Sequence, residues 1–130
     1  MRLKDKVTLV TGGSSGIGAE ICKLFAEEGS KVAVVASRNK EKAQEIVDGI
    51  LKKGHDAEAF SCDVRKLNEV ENLVDNVIKK FNSIDILINA AGVFYPTRIG
   101  ETLEKDFDHI VDTCLKGTFF MCNAICPLMV

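Results

Sequence analysis

The residues of this chain best suited to chemistry stand in one row, Thr11-Gly12-Gly13-Ser14-Ser15-Gly16-Ile17-Gly18. They follow an apolar run, Val7-Thr8-Leu9-Val10, and lead into a helix-like pattern. A strand, a glycine-rich turn and a helix start together make a cradle for phosphate. The glycines allow a sharp turn and a close approach to a ligand, and the free N–H groups and dipole of the new helix favour a pyrophosphate. Gly12, Ser14, Ser15, Gly16, Ile17 and Gly18 are therefore candidate binding residues.

Ser37-Arg38 sits at the end of the second apolar run and extends the candidate site. In dinucleotide-binding domains generally, an acid about 20 residues beyond the glycines accepts the ribose 2′-hydroxyl. Here the second strand runs into Ala36-Ser37-Arg38-Asn39, which contains no acid. Arg38 can instead make a charge-assisted contact to the 2′-phosphate of NADP, with Ser37, Ser14 and Ser15 adding hydroxyls. The expected cofactor is NADP rather than NAD. The competing reading makes Arg38 a solvated charge beside a helix start.

Strand-length apolar runs occur at Val7–Thr11, Val32–Ala36, Ala57–Cys62 and Ile84–Ala90. The second and fourth are nearly continuous, as in parallel strands buried on both faces. Helix-period segments separate them. The first contains Ile17, Ile21, Leu24 and Phe25 and ends near Gly29. The second runs from a cap at Asn39 through Ala43, Val47 and Ile50 to a stop at Gly54. The third carries Leu67, Val70, Leu73, Val74, Val77 and Phe81. A fourth starts after Thr102, passes Phe107, Ile110 and Cys114, and continues to about Pro127. This alternation predicts an α/β fold: a Rossmann-type doubly wound parallel sheet with helices on both faces, in one domain over 1–130.

The glycine spacing departs from the generic G-x-G-x-x-G, because Ser14 stands at its second glycine. Gly12, Gly16 and Gly18 instead give T-G-x-x-x-G-I-G with Thr11 in front. That pattern, with Asp63-Val64, Asn89-Ala90-Ala91-Gly92, Leu115-Lys116-Gly117-Thr118-Phe119 and Pro127-Leu128-Met129 in order, resembles the short-chain dehydrogenase/reductase family along essentially the whole chain. The likeness is nearest to the branch of 3-oxoacyl carrier-protein reductases and sugar or steroid alcohol dehydrogenases. It implies a nicotinamide oxidoreductase acting on a small carbonyl or alcohol substrate, with Asp63, Val64, Asn89, Ala90, Ala91 and Gly92 among the cofactor-binding residues. By the residues alone, Asp63 is equally the N-cap of the third helix and Asn89 a purely structural amide at a strand end. NADP-preferring relatives often carry a basic residue just before the second motif glycine, where this chain has Ser15.

In the resembled family a Tyr is the general acid/base, a Lys four residues later lowers its pKa, a Ser polarises the carbonyl, and a fourth-helix Asn relays protons. A tyrosine needs such a cation because its ordinary pKa is about 10. The single tyrosine here, Tyr95, is followed four positions later by Ile99, and Cys114 stands where the Asn belongs. No catalytic residue is assigned, and Tyr95 is expected at a pocket rim or in packing. The expectation is the cofactor-binding portion of an oxidoreductase, an incomplete domain whose fourth strand is an exposed apolar edge. The alternative is a truncated nucleotide-binding module without catalysis. The resemblance also implies a homo-oligomer face on the last helices, with Phe119, Phe120, Met121, Cys122 and Cys126, residues that core packing explains equally well.

Composition narrows the partners. A net charge of −2, with 17 basic and 19 acidic residues interspersed, offers no basic patch for nucleic acid or an anionic membrane. The N-terminus lacks a signal-peptide apolar core, and no run approaches a membrane span. The 5 cysteines have no disulfide-scaffold spacing, which suggests free thiols in a reducing, cytoplasmic compartment. Cys122 and Cys126 share one helix face and read as buried small hydrophobes rather than as half of a metal site. His55 and His109 lie in separate segments without a ligand set, so no metal is expected.

Overall fold

A computed structural model describes residues 1–129; Val130, the last residue of the expected domain, lies outside the described residues. Strands β1 (Val7–Thr11), β2 (Lys31–Ala36), β3 (Ala57–Ser61) and β4 (Ile86–Asn89) form one parallel sheet in the order β3-β2-β1-β4. Helices α1 (Gly16–Glu27), α2 (Lys40–Lys52) and α3 (Leu67–Phe81) alternate with them. After β4 comes a helical rod: α4 (Glu104–Val111), a π-helical turn (Asp112–Lys116), α5 (Gly117–Ile125) and a closing 3₁₀ turn (Cys126–Leu128). No helix among the described residues is long and apolar enough to cross a membrane.

Alternation along the strands sends successive side chains to opposite faces of the sheet. Leu9, Ala33 and Val35 join Val70, Leu73, Val74 and Val77 of α3 and Met121 and Ile125 of α5 in one core. Val10, Val32, Val34 and Ala36 join Cys22 and Ala26 of α1 and Ala43, Val47 and Ile50 of α2 in the other. Helices therefore cover both faces, as the alternating sequence requires. The chain runs one way from β1 to β2 and β3 and returns to place β4 on the other side of β1. That reversal opens a crevice beyond the carboxyl ends of β1 and β4.

Local signals set several helix ends. Asn39 Oδ1 accepts from the Lys42 N–H at 3.4 Å, capping α2. Gly29 and Gly54, just past α1 and α2, have φ of +96° and +83°. The fourth strand is shorter than the run Ile84–Ala90 for a visible reason. Asp85 Oδ2 accepts from the Val7 N–H at 2.9 Å, and the Asp85 N–H donates to the Val7 carbonyl at 2.8 Å, so a side chain begins this edge. At the other end the Ala90 and Ala91 N–H groups leave the ladder for Thr11 Oγ1, each at 3.2 Å.

The single fourth helix expected from periodicity is interrupted by the π-helical turn. The cysteines also divide differently from the expectation: Cys22 and Cys62 are buried, Cys122 is half-buried, and Cys114 and Cys126 are exposed. Cys126 is exposed because it begins the closing 3₁₀ turn, beyond the helix face that buries Met121 and Ile125.

Candidate functional site

The glycine turn is shaped by two close approaches. A Cβ on Gly12 would stand 2.6 Å from the Ala90 carbonyl oxygen, and one on Gly18 would overlap the Gly12 carbonyl. Side chains at either position would force apart β1, β4 and the first turn of α1. Gly16 is different: its φ is +54° and a Cβ there would meet nothing within 4 Å. The Gly13 N–H donates to the Val35 carbonyl at 3.0 Å, pinning the turn to β2. Ser15 is the N-cap of α1, yet its hydroxyl makes no capping bond, and the first turn of α1 carries no acid. The positive end of a 12-residue helix is thus aimed past an uncommitted serine.

Around this turn lies a cavity of about 770 Å³, a size suited to a cofactor-sized ligand. The turn contributes Thr11, Gly12 and Ser14 through Gly18; the end of β2 contributes Val35, Ser37 and Arg38; the segment after β3 contributes Cys62 through Arg65. Ala90 through Val93 follow from β4, and Tyr95, His109 and Thr113 close the far wall. Four separate stretches picked from the sequence therefore meet at one site. Arg38 is exposed at the rim and takes part in no salt bridge among the described residues.

Asn89 is placed elsewhere. It does not line the cavity, and its Nδ2 lies 3.6 Å from Cys122 Sγ, tying β4 to α5. Asp63 lines the cavity and does not cap α3, whose N-cap is Lys66. Its carboxylate is held by Arg65, with Nε to Oδ1 at 2.9 Å, a terminal nitrogen to Oδ2 at 2.8 Å and the Arg65 N–H to Oδ1 at 3.0 Å. This fork lowers the Asp63 pKa to about 2, outweighing the partial burial that raises it. The Asp63 N–H is also engaged, donating to Glu69 Oε1 at 3.1 Å.

Across the cavity, Tyr95 Oη and His109 Nδ1 are 2.8 Å apart, with ring centroids at 5.5 Å. They fasten the loop after β4 to α4. Cys114 donates weakly to the Val93 carbonyl at 3.8 Å. Burial pushes the Cys62 thiol up to about 12, with help from the Glu69 and Asp63 charges, so at this wall it is a neutral packing group. No group of three His, Cys, Asp or Glu side chains among the described residues could hold a metal ion.

Arg65, His109 and Thr113 were not picked out by sequence reasoning. A fork between residues two apart has no periodic signature, and His109 and Thr113 reach the site only because the rod packs across the switch point. The preference for glycine at positions 12, 16 and 18 was the signal that could be read.

A parallel sheet with this strand order and a glycine turn at its reversal defines a Rossmann-type nucleotide-binding domain. The family model described as short chain dehydrogenase matches residues 6–130, and the chain belongs to that family. It is 38% identical over 125 residues to the 3-oxoacyl-[acyl-carrier-protein] reductase FabG of Staphylococcus epidermidis, covering 96% of this chain and 51% of that protein. A short chain dehydrogenase from Burkholderia cenocepacia J2315, solved in complex with NADP, superposes with a TM-score of 0.94 at 35% identity, covering 99% of this chain and 53% of the other. A metagenomic short-chain oxidoreductase, also solved with NADP, gives 0.92 at 27% identity, covering 99% and 58%. The chain thus spans about half the length of the relatives it matches.

Proposed function

We propose that this chain is an NADP(H)-binding module of the short-chain oxidoreductase type. The observation that carries the reading is the single cavity joining the glycine turn, Ser37-Arg38, Asp63-Val64 and Ala90-Gly92. The residues present fit the group. Gly16 leaves open space where any other residue would project a Cβ, beside the free amides of α1 and the unspent Ser15 hydroxyl. These hold the pyrophosphate, together with Gly12, Ser14, Ile17 and Gly18. Arg38 and Ser37 receive the 2′-phosphate. Asp63 and Val64 border the base, and Ala90, Ala91 and Gly92 border the nicotinamide ribose. Asn89 positions this wall through α5 rather than touching the ligand. Two similar proteins were solved with NADP, which supports NADP over NAD.

Bound NADPH supplies a hydride for a carbonyl carbon. Within these 130 residues the one tyrosine, Tyr95, faces His109 rather than a lysine, and Cys114 is bonded to a backbone carbonyl. The module therefore binds the cofactor and does not complete a proton relay by itself. Reduction of a small carbonyl substrate, in a homo-oligomer, is the second reading; it is favoured by the likeness to the Staphylococcus epidermidis reductase and concerns the protein as a whole.

Fluorescence titration tests the first reading. NADPH should bind saturably and NADH roughly tenfold or more weakly, and Arg38→Ala should erase that difference, the size of a hydrogen bond to a charged group. Equal affinity for the two cofactors in the parent chain would sink the assignment. Oxidation of NADPH by these 130 residues with a carbonyl substrate would overturn the module reading in favour of catalysis.

A further inference from the structure

The loop between β4 and α4 has a shape of its own and a light hold on the body. Every residue from 94 to 103 is exposed, so no buried apolar side chain anchors it. Its upstream end is fixed where the Ala90 and Ala91 amides donate to Thr11 Oγ1, and its downstream end is the start of α4. Inside the loop, Thr97 Oγ1 and Thr102 Oγ1 are 2.6 Å apart. The Glu101 N–H donates to the Arg98 carbonyl at 3.0 Å, and Gly100 takes a φ of +86°. These local bonds let the segment keep its form when it leaves its seat.

Two hydrogen bonds tie it to the helical rod among the described residues. One is the weak contact from Cys114 Sγ to the Val93 carbonyl, at 3.8 Å. The other joins Tyr95 Oη and His109 Nδ1 at 2.8 Å. Tyr95 and His109 both line the cavity, so this bond closes its wall between the loop and α4. Both partners belong to the chain itself, and the bond must break before loop and helix can part. A clasp of this kind slows entry and exit alike, whereas a side chain that holds the ligand slows exit alone.

We infer that Tyr95 and His109 are the latch of a lid, residues 93–103, whose opening sets how fast a dinucleotide enters and leaves the cavity. This rests on the cofactor reading above, and the tests separate the two. Stopped-flow fluorescence of NADPH is followed with the parent chain, Tyr95→Phe, His109→Leu and His109→Asn. Tyr95→Phe and His109→Leu should each raise the association and dissociation rates by the same factor, about threefold to tenfold for one neutral hydrogen bond, and leave Kd within about twofold. His109→Asn, whose amide can donate or accept where Nδ1 stood, should stay near the parent. A rise in the dissociation rate alone would make Tyr95 a ligand contact and overturn the inference, as would unchanged rates. A second readout needs no ligand. The chain has 1 tyrosine and no tryptophan, so its ultraviolet emission reports Tyr95 by itself. The anisotropy decay of that emission should gain a fast component in His109→Leu, or in His109→Ala if the Leu variant does not fold. An unaltered decay would overturn the latch even where NADPH binds. Failure of the parent to bind NADPH would overturn the cofactor reading, and the anisotropy decay would still decide the latch.

Discussion

β1 and β4 lie side by side in the sheet and have similarly apolar sequences, yet their surroundings differ. All five residues of β1 are buried, whereas Ile86, Leu87 and Ile88 of β4 are half-buried and Asn89 is exposed. The helices repeat the contrast. α3 buries Val70, Leu73, Val74, Val77 and Phe81, while α4 buries no residue. Phe94, Ile99, Leu103, Phe107, Leu115 and Phe119 all stand exposed on the β4 side. Apolar composition thus does not decide burial; covering neighbours do, and among the described residues β4 is an edge strand paired on one side only. The ligand cavity lies on the seam between the two regions. One wall stands on fully buried strand residues, and the other is held by polar clasps such as Tyr95–His109.

The largest test of this contrast is thiol labelling. Cys114 and Cys126 should react at once with a disulfide reagent, while Cys22 and Cys62, each pushed up to about 12 by burial, should react roughly a hundredfold more slowly or less. Similar rates at Cys22 and Cys126 would show that the buried side opens as readily as the exposed one.

The same substitution on the two sides comes next. Leu9→Ala, at a fully buried position in β1, should cost about 3 kcal/mol in denaturant unfolding. Leu115→Ala, at an exposed position, should stay within about 0.5 kcal/mol. Equal costs would mean that the β4 side is covered in solution, as by a second copy of the chain.

The smallest effect concerns the seam. The folded Asp63 pKa is depressed from 3.8 to about 2, so its charge contributes stability above the unfolded value, and that contribution is lost as pH falls through 3.8 toward 2. With Arg65 partly open to water, the contribution is discounted to about 1 kcal/mol. Asp63→Asn should therefore lower stability at pH 6 and converge with the parent near pH 2. A gap that persists unchanged at pH 2 would assign the cost to packing instead of charge.

Much of this architecture was legible in the residues. The bounds of β1, the cap at Asn39 and the glycine stops at Gly29 and Gly54 are local signals, and local physics decides them. The glycines at 12, 16 and 18 announced the turn before its partners were known. Other features depend on distant pairing. The ends of β4 are set by Asp85 and Thr11 reaching across from opposite strands, the π-helical turn leaves no mark in hydrophobic periodicity, and Arg65 takes Asp63 by a contact that spacing does not encode. Asn89 lies at the right place in the chain but turns toward Cys122, because the strand's alternation assigns its side chain to α5's face.

The Thr11 hydroxyl that collects the Ala90 and Ala91 amides has a consequence for how the cavity is completed as the chain folds. Those bonds join residues 79 and 80 positions apart. Non-local closures of this kind come late, because the loop entropy must be spent before any contact repays it. A nascent chain that has formed β1, α1 and β2 already carries the whole glycine sequence, yet the floor beneath Gly12 is missing until Ala90 arrives. Affinity for the dinucleotide should therefore appear during refolding with the last strand, not with the motif, and a fluorescent cofactor would serve as a clock for the final step of folding.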